Sequence, residues 1–289
     1  MDRLETRELA YFLAVADELH FGRAADGLGI TQPALSKTIR QLERRLGVAL
    51  FERTSRAVTL TEPGHVLAHE ARTALDAVSA ATERTRRAGT RDPRLILAMK
   101  PGGDAGLLPA ILAAYQHEPD VLQIEVVFGG DRARMVREGQ ADAALLYTPS
   151  DDARGLDTEM LLSEAPLAVL PASHPLAHRA TLRMADLTDE NLHKHDPAGD
   201  SAKGSISELM HLIALGRTVA VLPQSLTTPL REDLTTVPVT DIPPSVLQLA
   251  WPAHSTSLSV AALARAAAKA AAADNTSPSA IRSLRGTAR

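Results

Sequence analysis

Gln32, Ser36, Lys37 and Arg40 are spaced so that an α-helix would place them along one side. Their chemistry suits the edge of a base pair. A glutamine amide can pair with adenine through two hydrogen bonds, a lysine can reach guanine acceptors or a phosphate, and a serine can serve either. Arg40 adds a guanidinium beside them. Arg53 and Arg56 flank a short polar segment further on, where two cations could lie near a minor groove or its phosphates. A third group belongs to the second half of the chain. Lys100 opens KPGGDAG, with Gly102 and Gly103 permitting close backbone approach, and Gly129 and Gly130 repeat that arrangement after a later apolar run. With free N–H groups at a helix start near Ser205, these residues would suit a small polar or anionic ligand.

Other chemistries are excluded by what the chain lacks. With no cysteine there is no disulfide, thiol switch, cysteine nucleophile or thiolate metal site. His174, His178, His193 and His195 do not make up a zinc motif. KPGGDAG fits neither of the glycine-rich phosphate-loop spacings, and no nucleophile elbow with an ordered histidine and carboxylate is present. The expectation is a non-enzyme with no cofactor and no metal. The N-terminus alternates acidic and basic residues rather than building a secretory leader, and no uncharged apolar run is long enough to span a membrane. A cytoplasmic protein is expected. The net charge of −4 hides a basic stretch: from His20 to Leu60, seven Lys/Arg stand against three Asp/Glu. Phosphate contacts require a local basic face of this kind.

Around the reading residues the pattern predicts short helices. Leu9, Phe12, Leu13 and Ala16 share one helical face, and Phe21, Ala24, Ala25 and Leu28 share the next. Gly27 and Gly29 supply a sharp exit. Thr31 is an N-cap candidate for a third helix, with Pro33 in its first turn. Leu35, Ile39, Leu42 and Leu46 form the buried side of that helix. Leu50 to Leu60 reads as a small hairpin with its tip at Thr54 to Arg56. Thr61 caps a long alanine-rich helix over His65 to Arg87, with an apolar stripe through Leu67, Ala71, Ala74, Leu75, Val78 and Ala81. A stripe of that length needs a partner, and an identical helix from a second chain is the simplest choice. After a break at Gly89 to Pro93, strands and helices alternate as parallel α/β material. Strands are expected over Leu95–Met99, Val121–Phe128, Ala141–Tyr147, Leu167–Leu170, Val219–Leu222 and Leu247–Trp251. A closing helix is expected over Thr256–Ala273.

FGRAADGLGITQPALSKTIRQLE at Phe21 to Glu43, followed by LGVALFERTSRAVTLTEPG at Leu46 to Gly64, resembles the LysR-type transcriptional regulators. EGQADAALLY at Glu138, HPLA at His174 and LIALGRTVAVLPQSL at Leu212 extend the resemblance into the second half. It implies an α/β protein overall. An all-α winged helix-turn-helix would occupy residues 1–61, a dimerising linker helix 62–90, and a two-lobed, periplasmic-binding-protein-like effector domain 91–273, with a tail over 274–289. It implies double-stranded DNA carrying an imperfect palindrome as partner, a homo-oligomer (dimer or tetramer), and a small-molecule effector between the lobes. RNA polymerase is admitted as a further partner. Carried over to this sequence, the DNA contacts fall on Gln32, Pro33, Ser36, Lys37 and Arg53. The effector positions fall on Lys100, Gly102, Gly129, Tyr147 and the loop before Ser205. Three departures stand out. His20 occupies a position where the family often has a capping serine, Arg217 replaces a common glycine, and Tyr147 stands where some aromatic-acid sensors carry arginine. The competing readings are a free solute-binding protein and an enzyme using the inter-lobe cleft.

Overall fold

Three phenylalanines centre the N-terminal unit. Phe12 lies on α1 (Thr6–Glu18), Phe21 opens α2 (Phe21–Gly27), and Phe51 begins β1 (Phe51–Arg53). The Phe12 and Phe51 ring centroids are 5.3 Å apart, and Phe21 meets Phe51 edge-on at 5.8 Å. The computed structural model describes residues 4–54, 57–90, 92–119, 121–193 and 206–275. Arg56 and Ser205, with the roles considered for them above, lie outside the described residues.

The helix-turn-helix is set by caps and small residues. The His20 imidazole Nδ1 accepts from the Gly22 and Arg23 N–H groups at 3.1 and 3.2 Å, so histidine caps α2 as a serine would. Ala24 and Ala25 are buried and let α2 cross closely. Gly29 turns the chain at φ +66°. Thr31 occupies the N-cap of α3 (Gln32–Leu46), but its side chain makes no cap bond. Pro33, in the first turn, has removed one of the N–H groups a capping hydroxyl would take. Leu35, Ile39 and Leu42 are fully buried, whereas Leu46, expected with them, is exposed where the helix ends at Gly47.

β1 pairs antiparallel with β2 (Val58–Leu60), and the Thr54 N–H donates to the Ala57 carbonyl at 2.9 Å. Thr61 then caps α4 (Glu62–Ala88), accepting from the Gly64 N–H at 3.1 Å and donating to the Ala49 carbonyl at 2.7 Å. Gly64 is required there, because a Cβ would lie 2.1 Å from the Leu50 carbonyl oxygen. α4 is less bare than its stripe suggested. Ala68 and Ala71 are buried in the N-terminal core, and Leu67 and Leu75 pack against it. Val66 and Val78 are exposed.

The chain divides into two compact units at Arg86 and Arg87, within α4. The second unit has two lobes. In the first, β3 (Arg94–Met99) lies parallel to both β4 (Gln123–Phe128) and β5 (Ala143–Thr148). β10 (Ser245–Pro252) runs antiparallel between β5 and β6 (Leu156–Glu164), giving the order β4-β3-β5-β10-β6. Alternation along β5 serves two cores. Leu145 and Tyr147 face α5 (Leu108–Tyr115) and α8 (Leu258–Asn275), while Ala144 and Leu146 face α6 (Arg132–Arg137). The second lobe is an antiparallel sheet, β8-β7-β9, built from β7 (Pro166–Pro171), β8 (Ala220–Pro223) and β9 (Leu234–Pro238). α7 (Ile206–Ala214) covers one face of it through Leu209 and Ile213. The wholly parallel reading therefore holds only for β3, β4 and β5. β6 and β9 were not legible as strands because polar residues interrupt their apolar pattern. The chain passes between the lobes twice, at residues 164–166 and 238–245, and these crossovers are adjacent: the Val239 N–H donates to the Pro166 carbonyl at 3.0 Å.

Candidate functional site

The side of α3 opposite Leu35, Ile39 and Leu42 carries the residues expected from the sequence to meet DNA. Gln32, Pro33, Lys37 and Arg40 are exposed and Ser36 is half-buried, so the structure brings these five positions onto one accessible surface. The Arg40 Nε donates to the Ser36 carbonyl at 3.2 Å, which lays the guanidinium along the helix. The basic face is narrower than the charge count implied. Arg23 pairs with Glu18 at 2.7 Å. Arg45 pairs with Glu8, and the hydrogen bond from Arg45 holds the Glu8 carboxyl below its usual range. Arg53 pairs with Glu43 at 3.1 Å and stacks over the Phe21 ring at 4.5 Å. Lys37, Arg40 and Arg44 remain directed outward.

In the second unit, the decisive side chain is one that sequence reasoning missed. Arg132 opens α6 and is almost completely buried, yet its five N–H groups all find acceptors. Nε donates to the Leu145 carbonyl at 3.3 Å. Nη1 donates to the Gly129 and Gly130 carbonyls at 3.1 and 2.7 Å. Nη2 donates to both Asp151 carboxylate oxygens at 2.5 and 2.6 Å. Asp151 also accepts from the Tyr147 N–H at 2.7 Å. One guanidinium thus fixes the chain after β4 to the end of β5 and to the loop beyond it. These strand ends are where open α/β sheets present ligands.

The expected effector positions surround this hub unequally. Lys100 follows β3 and is half-buried. Its ammonium is pushed below the ordinary lysine range, first by burial and then by the Arg132 cation, with Asp151 opposing. Gly129 accepts from Arg132, and a Cβ there would meet the Met135 sulfur at 2.4 Å. Gly102 differs: a Cβ would meet nothing within 4 Å, and only its φ of +69° favours glycine. Tyr147 is buried, and its hydroxyl donates to Glu164 Oε2 at 3.0 Å. Ser225, on a short 3₁₀ turn after β8 in the second lobe, donates its hydroxyl to the same oxygen at 2.8 Å and its N–H to Oε1 at 2.6 Å. Tyr147 and Glu164 belong to the first lobe, so this triad ties the lobes together. Burial holds the Tyr147 phenol well above its ordinary range, Glu164 and Asp104 add to that, and the Ser225 hydrogen bond opposes it. The phenol therefore remains a donor.

Residues 6–65 match the bacterial regulatory helix-turn-helix protein, lysR family, and residues 88–203 match the LysR substrate binding domain. The chain belongs to the LysR family. Within that family it is 36% identical over 197 residues to the Hca operon transcriptional activator HcaR of Escherichia coli K12. The match takes in 67% of this chain and 66% of HcaR, just under two-thirds of that relative's length. It is 30% identical over 259 residues to the dual regulator OxyR of the same organism, covering 79% and 82% of the two chains. The crystal structure of full-length BenM aligns with a TM-score of 0.52 at 28% identity, over 95% of this chain and 99% of that one. This LysR-family chain thus joins a helix-turn-helix module to a unit of the LysR substrate-binding type.

No motif announces the features that organise the LysR-type sensor. Arg132 follows two glycines and an aspartate, like any helix opening. The only local signal for Glu164 is a carboxylate just ahead of the apolar run that forms β7. The Arg132 hub yields a direct expectation. Arg132→Met leaves Asp151 as an uncompensated buried carboxylate and should lower the stability of the sensory unit by about 3–5 kcal/mol. Asp151→Asn should also destabilise, because it leaves the buried guanidinium without its counter-charge and turns an amide NH2 toward N–H donors. Urea unfolding of the full chain, followed through Trp251 fluorescence, measures both. Equal midpoints for wild type and Arg132→Met would remove Arg132 from this structural role.

Proposed function

We propose that this LysR-family protein is a sequence-specific DNA-binding transcriptional regulator whose activity is modulated by a small-molecule effector held in the two-lobed unit. The observation that carries this reading is the two-sidedness of α3. Its apolar side is sealed into the core while Gln32, Ser36 and Lys37 face outward, in the geometry of a helix presented to a major groove. Pro33 and Arg40 lie on the same surface, and Arg40 is assigned a phosphate contact. The effector reading rests on Lys100 and Gly129 at adjacent strand ends beside the Arg132 hub. A half-buried ammonium there favours a polar or anionic molecule. Tyr147 is assigned to the lobe tie, and Gly102 to the turn that shapes the rim. A further relative, from Escherichia coli O6:H1 and 30% identical over 259 residues, is by name a hydrogen peroxide-inducible genes activator. These 289 residues contain no thiol, so a cysteine-based peroxide response is chemically closed to this chain.

Effector binding would bias the relation between the lobes and, through it, the spacing of DNA-binding modules in a homo-oligomer. The exposed positions Val66 and Val78 of α4 support self-association, since large apolar side chains open to water invite burial. Duplexes selected by the protein should therefore carry an imperfect two-fold repeat.

Two measurements test these assignments. Gln32→Ala should narrow the difference in affinity between a selected duplex and its scrambled counterpart by about 1–3 kcal/mol at fixed salt. Unchanged discrimination would take Gln32 out of base reading. Val78→Glu should shift the sedimenting species to lower mass while leaving the N-terminal core folded, because Val78 is exposed. Leu75 cannot serve for this purpose, since it packs on its own chain. A wild-type mass distribution for Val78→Glu would place the self-association surface elsewhere.

A further inference from the structure

We infer that Arg53 is a positioning residue, a strut between the reading helix and the wing held by Glu43, and that it is not itself a phosphate contact. The inference rests on the DNA-binding reading above.

Glu43 lies near the C-terminal end of α3, on the side facing the wing. Its Oε1 accepts from the Leu50 N–H at 3.0 Å and the Phe51 N–H at 3.3 Å, the two residues that lead into β1. Its Oε2 accepts from Arg53 Nη2 at 3.1 Å. A single carboxylate on α3 thereby anchors Leu50, just before the first strand of the wing, and Phe51 and Arg53 within it. Charge-assisted bonds of this sort are the stronger ones. The Arg53 guanidinium is also seated over Phe21, the first residue of α2, at 4.5 Å from the ring centroid. Phe21 in turn meets the Phe51 ring. The carboxylate, the guanidinium and the two rings lock α2, α3 and β1 to one another. Their common consequence is a fixed angle between α3 and the hairpin.

That angle matters because a winged module touches the duplex in two places. The helix occupies one groove while the hairpin tip reaches the neighbouring backbone or groove. A guanidinium already engaged by a carboxylate and a ring face has less charge to offer a phosphate than an unengaged one. Breaking the strut should weaken binding by misplacing the wing, without removing a phosphate contact. Arginine is suited to this position for the same reason. Its planar fork meets a carboxylate and stacks on a ring together, which a lysine ammonium does not do.

The experiment is a salt titration of the full-length protein on a duplex selected by the wild type from a random pool, with thermal melts to verify folding. The variants are E43Q, R53M, R53K and the double variant E43Q/R53M. E43Q keeps an acceptor for the Leu50 and Phe51 N–H groups and removes the charge facing Arg53. The strut predicts that E43Q and R53M each weaken binding by roughly tenfold, with the double variant no weaker than either single one. It predicts an unchanged slope of log K against log salt, and no rescue by R53K. A phosphate contact predicts the opposite pattern. R53M would lower the slope by about one unit, R53K would restore binding, and E43Q, by releasing the arginine, would bind as tightly as wild type or tighter. That second pattern overturns the inference. If the wild type itself shows no salt-dependent duplex binding, the DNA-binding reading falls and this inference falls with it.

Discussion

A buried guanidinium with no spare N–H is the constraint on which the sensory unit rests. Desolvating Arg132 would be costly alone, and a single ion pair would not offset it. Here the cost is met by four oxygen-bearing groups at once: three backbone carbonyls and the Asp151 carboxylate. The consequence is geometric. The glycines after β4, the end of β5 and the loop carrying Asp151 cannot move independently. Lys100 sits against this assembly and feels its positive charge. The strand ends at which a ligand would be received are therefore preorganised, and the ammonium most suited to receiving an anion is kept in a partly dehydrated setting.

Preorganisation of the first lobe gives the second something fixed to lean on. Asp151 holds the Tyr147 backbone, and the Tyr147 hydroxyl meets Glu164 and Ser225. A chain of contacts thus runs from the hub, through one tyrosine, to the opposite lobe. At the other end of the unit, Arg87 contacts both Asp142 oxygens at 2.9 and 3.0 Å, and Asp142 accepts from the Ile96 N–H at 2.9 Å. The final turn of α4 is thereby fastened to the start of β5, the same strand whose far end carries Tyr147. β5 links the last turn of α4 to the tie between the lobes.

Much of this was legible in the residues. The apolar spacing of Leu9, Phe12 and Leu13, and of Leu35, Ile39 and Leu42, identified the helices because burial enforces that period. His20 was readable as a substitute cap because an imidazole nitrogen accepts as a hydroxyl does. Partner choice was not legible. Arg53 looked like outward charge, and only the fold shows that Glu43 lies opposite it. Leu67 and Leu75 looked uncovered because the surface that covers them comes from distant sequence. Arg132, Asp151, Glu164 and Ser225 were missed for the same reason. A buried polar network is defined by separations of up to seventy-eight residues, and no local pattern records it. β6 and β9 escaped because strands in an antiparallel setting carry polar residues on one face.

The central claim is that the relation between the two lobes is communicated to DNA. The most direct measurement is a footprint of the full-length protein on its selected duplex, comparing wild type with Tyr147→Phe in the absence of any effector. Losing one hydroxyl removes a link of the lobe tie and leaves the reading helix untouched. The account predicts that the variant melts close to wild type and protects the same base-reading core, but with altered protection or bending at the flanks of the site. A footprint identical to wild type, in a variant whose Ser225 segment exchanges its amide protons measurably faster, would show that the lobes were loosened and the DNA complex did not respond. That result would contradict the coupling.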